Sequence, residues 1–224
     1  MLTRITKVDL LLVSHAHTDH LDYPTLRQLQ SPTTIAVTAQ NTTSLWEDMK
    51  FRSIEEMAWR DSRSLAEVKV TAIEGKHWGA RLPWYKGMEA NSLLLSKNGV
   101  NIFFGADTGY TELIKQQLNG IPIDLAIMGI AAYSPKSFET RHANPEQAWK
   151  MAEEMSAKWV IPNLPLPSGC CRSNRKGGSS GGGSLMGTAA LKKKQLARKQ
   201  KEISQEKSLT LMILAINRLP LPPE

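Results

Sequence analysis

Residues 14–20 read Ser-His-Ala-His-Thr-Asp-His and follow directly on the apolar run 8–13. No other stretch limits the possible folds so strongly. A short apolar run rich in leucine and valine reads as a buried strand. A loop leaving a strand end can turn several side chains toward one point. Three of the five histidines and one aspartate fall within six positions here. Imidazole and carboxylate are the donors that hold borderline divalent metals. His15, His17, Asp19 and His20 are therefore candidate ligands on a strand-end loop, and the fold must leave that loop open to an ion.

Short apolar runs alternate with helix-like segments over the next 140 or so residues, which favours an α/β arrangement. Strands are expected at 34–38, 68–73, 92–96, 100–104, 124–128 and 159–161, and helices at 24–30, 111–118 and 145–155. The charged stretch 53–66 reads as helix-prone. Asn98-Gly99 between two apolar runs is a hairpin signal. Asn144 can cap the helix that Pro145 opens.

The formal net charge of +7 is unevenly distributed. Residues 1–162 carry 17 Lys+Arg against 18 Asp+Glu, whereas residues 163–224 carry 11 against 3 and no Phe, Trp, Tyr or His. The basicity belongs to the tail, so nucleic acid is not expected as the partner of the first part. Residues 163–188 are rich in Gly, Ser and Pro and read as a linker, and 189–224 read as a basic tail with a short helical stretch, able to contact acidic surfaces. Cys170 and Cys171 are adjacent and match neither a disulfide framework nor a C-x-x-C site. The absence of any membrane-length apolar stretch or signal-peptide pattern leads to the expectation of a cytoplasmic product.

Two further segments carry polar groups where strands should end. Lys76-His77-Trp78-Gly79 follows the run 68–73, and Gly105-Ala106-Asp107-Thr108-Gly109-Tyr110 follows 100–104. An aspartate between small residues can approach a metal without crowding, although Asp-Thr-Gly is also a common turn.

His15-Ala16-His17-Thr18-Asp19-His20-Leu21-Asp22-Tyr23-Pro24, His77-Trp78, the segment 103–110 and Arg141-His142-Ala143-Asn144-Pro145-Glu146 occur in this order. Together they resemble the metallo-β-lactamase fold superfamily, nearest to the branch of N-acyl-phosphatidylethanolamine-hydrolysing phospholipase D. The resemblance implies an α/β fold, a partial αββα sandwich spanning residues 1–162, followed by a poorly packed tail. It also implies two zinc ions: one on His15, His17 and His77, the second on Asp19 and His20, with Asp107 bridging. Asp19 and His142 are the catalytic candidates, His142 as a non-ligand histidine near the substrate. Asp22 is expected to hold a ligand imidazole, and Trp78 and Tyr110 to pack beside the metals.

The implied activity is zinc-dependent hydrolysis of a phosphodiester by metal-activated water, on a small-molecule or phospholipid-like substrate. A lactone, sugar phosphate or amide hydrolase on the same site, and an inactive metal-binding remnant with a basic tail, are the alternatives. In the family, several strands precede the histidine loop and a His-Trp-Gly segment follows the last strand. This chain has seven residues before Val8, and Asn163-Leu164-Pro165 stands where that segment would be. The second zinc site is therefore expected to lack one ligand, and a shifted reading frame after Pro162 would account for the change in composition.

Overall fold

A computed structural model describes residues 8–131 and 136–163. The expected linker, basic tail and cysteine pair lie outside the described residues, apart from Asn163. Among the described residues, no helix is long and apolar enough to cross a membrane.

Two sheets form the centre. β1 (Leu10–Leu12), β2 (Ile35–Ala39) and β3 (Ser53–Met57) make a parallel three-stranded sheet. β4 (Ser62–Leu65), β5 (Val68–Glu74), β6 (Asn91–Lys97), β7 (Val100–Ala106), β8 (Leu125–Gly129) and β9 (Trp159–Asn163) make a six-stranded sheet in that spatial order. It is antiparallel up to β7 and parallel beyond. Helix α1 (Tyr23–Leu29) covers the first sheet, and α2 (Leu113–Leu118) and α3 (Pro145–Glu154) cover the second.

The layering follows from the period-2 alternation of strands whose two faces are both buried. Leu10 and Leu12 face Val70, Leu93, Leu95 and Phe104 across the inter-sheet core, while Leu11 turns outward to Leu26 and Trp46 under α1. In the second sheet Phe103, Leu94 and Met128 face away from that core and meet Ile114, Leu118 and Met151 of the two helices. Each such side chain, fully buried, contributes roughly 1.5–3 kcal/mol. The result is the expected αββα sandwich.

Local signals agree with most boundaries. Asn98 and Gly99 have φ of 51° and 78°, as a two-residue hairpin turn requires. Asn144 Oδ1 accepts the Gln147 N–H at 2.8 Å while Gln147 Oε1 accepts the Asn144 N–H at 3.1 Å, a reciprocal cap on α3. The segment 53–66 is a correction: it forms β3, a turn and β4, not a helix. Its charges serve strand geometry. Arg63 pairs with Glu55 across the strands at 2.8 Å, Glu56 accepts the Thr42 and Thr43 N–H groups, and Asp61 accepts the Ala58 N–H to close the turn. Arg60, Ala66 and Glu67 take positive φ without a glycine, so neither turn was visible in advance.

β9 and β1 each pair on one side only among the described residues. On β9, Trp159 and Ile161 share one face and are 73% and 51% exposed.

Candidate metal centre

The histidine loop leaves β1 and is anchored on both sides. Leu21 is fully buried, the Ala16 N–H donates to Gly79 O at 3.0 Å, and Ser14 O accepts the Asn91 N–H at 2.9 Å. Ser14 Oγ lies 2.9 Å from His15 Nδ1 and 3.4 Å from His20 Nδ1. One hydroxyl thus engages the inner nitrogens of two rings and leaves both Nε2 atoms facing the cluster.

His77 enters from the loop after β5. Its Nδ1 donates to the carbonyl of Arg141 at 2.9 Å, and because a carbonyl only accepts, Nε2 is the unprotonated nitrogen. Asp107 enters from the end of β7. There the register with β8 shifts between Phe104 and Ala106, and Ala106 adopts φ 49°, which turns the following carboxylate into the cluster. Gly129 permits this: a Cβ on it would stand 2.2 Å from Ala106 O. The Lys76 N–H donates to Thr108 Oγ1 at 2.8 Å and the Ala143 N–H to Thr108 O at 2.7 Å, which tie the three loops together.

The donors converge. His17 Nδ1 stands 2.9 Å from His15 Nε2 and 3.3 Å from His77 Nε2. Asp107 Oδ2 is 3.0 Å from His20 Nε2, 3.5 Å from His142 Nε2 and 3.9 Å from His15 Nε2. Three overlapping groups have ligand atoms within 4.8 Å of one another: His15 with His17 and His77, His15 with His20 and Asp107, and His77 with Asp107 and His142. Asp19 belongs to none of them; its side chain is 58% exposed, with Oδ2 3.8 Å from His20 Nε2.

For His15, His17, His77 and Asp107, electrostatics favour the forms that bind a cation. Burial, reinforced by the neighbouring imidazoles, holds His15 well below the ordinary histidine range and lowers His17 as well. Burial brings His77 down to about 4. All three are neutral at neutral pH. His20 goes the other way: burial opposes its charge, but the hydrogen bond and charge of Asp107 outweigh it and raise the pKa. Burial also opposes ionisation of Asp107, yet hydrogen bonds from His142 and His20 hold it well below the carboxylate range. Among the described residues the buried His17 Nε2 and His142 Nδ1 have no hydrogen-bond partner. Neutral nitrogens crowded together beside a buried carboxylate fit a divalent cation.

Two expected neighbours lie elsewhere. Asp22 Oδ2 accepts the Thr25 N–H at 3.0 Å and the Thr25 hydroxyl at 2.5 Å, capping α1 instead of holding an imidazole. Tyr110 turns to α3, donating to Glu154 at 2.8 Å under Lys150. Trp78 does stand beside the site, edge-on to His17 with centroids 4.7 Å apart. Sequence reasoning overlooked Ser14, Thr108 and the Arg141 carbonyl; only the adjacency of Ser14 to the motif could have pointed to one of them.

The family described as Beta-lactamase superfamily domain matches residues 1–163. The mitochondrial N-acyl-phosphatidylethanolamine-hydrolyzing phospholipase D of Saccharomyces cerevisiae is 25% identical over 172 residues, covering 71% of this chain and 36% of the yeast protein. The chain spans 36% to 40% of the length of the curated relatives it matches first. Among solved structures, an isothiocyanate hydrolase from Delia radicum gut bacteria superimposes with TM-score 0.60 at 14% identity, covering 89% of this chain and 73% of that one. CmlA, a diiron β-hydroxylase from Streptomyces venezuelae, does so with TM-score 0.53 at 17% identity, covering 70% and 35%. The two solved structures share the fold with this chain, and one of them is a diiron enzyme.

Proposed function

The chain belongs to the beta-lactamase superfamily domain family, and on that premise we propose that it is a zinc-dependent hydrolase of phosphodiesters of the phospholipid type. The observation that carries the reading is the convergence of neutral His15, His17 and His77 beside the ionised Asp107. Likeness to a phospholipase D supports the phosphodiester part.

In this reading His15, His17 and His77 would hold one ion, and Asp19, His20 and Asp107 would hold a second. Bound zinc lowers the pKa of water and polarises a phosphoryl oxygen. The protein supplies the arrangement. Ser14 and the Arg141 carbonyl orient the imidazoles, and Trp78 walls off one side. His142, with Nε2 3.5 Å from Asp107 Oδ2, holds a proton at the substrate side for the departing alkoxide. Overall, water oxygen forms a bond to phosphorus, the bond from phosphorus to the alcohol oxygen breaks, and the alcohol leaves protonated.

The test is to incubate zinc-loaded protein with an N-acyl-phosphatidylethanolamine, a simple phosphodiester and a lactone, following phosphatidic acid or alcohol release. Cleavage of the diesters, lost together with zinc retention in His17→Ala, is expected. Protein that retains zinc and opens only the lactone would refute the phosphodiester assignment.

A further inference from the structure

We propose that Arg141 is the anion-recognising residue of this centre, binding through its guanidinium a phosphoryl oxygen of the substrate; this rests on the phosphodiester reading above. Its backbone is built into the site. The carbonyl fixes His77 at 2.9 Å, and the next residue, His142, reaches Asp107 at 3.5 Å. Its side chain lies over the ring of Trp78, with Cζ 5.9 Å from the centroid. Trp78 is itself 40% exposed and stands against His17. The separations of 5.9 and 4.7 Å keep the guanidinium within about 10.6 Å of the His17 ring, a gap that one phosphoryl group and a side-chain rotation can close.

Position separates this arginine from the other surface cations: its own carbonyl fixes His77, and its guanidinium lies over the ring that stands against His17. Arg63, Lys97, Lys150 and Lys158 pair with carboxylates, whereas Arg141, like Arg27 and Arg81, pairs with none among the described residues. It also lies on an aromatic face that limits its freedom without neutralising it. A guanidinium held beside a cation site and left unpaired is matched to an anion with several oxygens, which can meet the ion with one oxygen and the fork of N–H donors with others. A neutral lactone or amide offers no such second contact. The same chemistry would bind inorganic phosphate, a phosphomonoester product or a phosphodiester substrate.

The experiment is calorimetric titration of inorganic phosphate into the zinc-loaded full chain, with metal content measured for each protein. Arg141→Gln should weaken phosphate binding about tenfold or more at unchanged zinc content, and Arg141→Lys should recover part of the loss. Equal affinity in wild type and Arg141→Gln overturns the inference, and so does zinc loss in Arg141→Gln, which would make the residue structural. If affinities are equal while wild type still cleaves the phosphodiester, only the role of Arg141 falls. If wild type neither binds phosphate nor cleaves the diester, both readings fall.

Discussion

Mild acid should unfold the metal-free protein, and His77 should account for much of the effect. Its pKa is about 4 in the folded chain against 6.5 for an ordinary histidine, because burial disfavours the imidazolium. Between these values the unfolded chain binds more protons, so stability falls as pH falls. Relative to pH 7.5, the loss from His77 alone is about 2 kcal/mol at pH 5 and about 3 kcal/mol at pH 4. His15 and His17 are lowered by the same cause and add to the loss. His20 is raised and offsets part of it, contributing stability that is full below the ordinary histidine value and lost as pH rises through its folded pKa. The measurement is a series of urea unfolding curves on chelator-treated wild type and His77→Gln from pH 7.5 to 4.5. The variant should have the shallower dependence, by about 2 kcal/mol at pH 5. Parallel pH profiles for the two proteins would refute the reasoning, since the buried neutral imidazole would then contribute nothing.

Gly129→Ala should destabilise the fold by about 2 kcal/mol or more and reduce zinc uptake, because the new methyl group meets Ala106 O beside the turn that aims Asp107. Urea midpoints and metal analysis on the same preparations check both effects. Asn144→Ala removes one side of the reciprocal cap on α3 and should cost about 1 kcal/mol, read as a lower thermal midpoint.

Strands were legible where both faces are covered, since 10–12, 93–95 and 102–104 are apolar without interruption and few other structures suit such runs. The stretch 53–66 was not. Its Glu, Arg and Ala residues suit a helix, and only contacts brought by the fold, Glu56 to the 42–43 turn and Arg63 to Glu55, make it two strands. The site divides in the same way. His15, His17 and His20 are neighbours in the chain and stand out in any reading; His77 and Asp107 are marked only by their places at strand ends, and His142 needed the family resemblance to be joined to them. Ser14 and the Arg141 carbonyl escaped notice because hydrogen bonding to an imidazole leaves no mark on composition or spacing.

The cage draws on loops from His15 to His142 and on both sheets. A chain in which only the three-stranded sheet has formed would own His15, His17 and His20 but neither His77 nor Asp107. Its hold on a cation would be that of a short histidine peptide. On the proposed ligand set, high-affinity uptake would follow late assembly, after the longest-range contacts have closed. Retention of the ion through dialysis then becomes a report on long-range folding, separating native molecules from compact ones whose sheets have not come together.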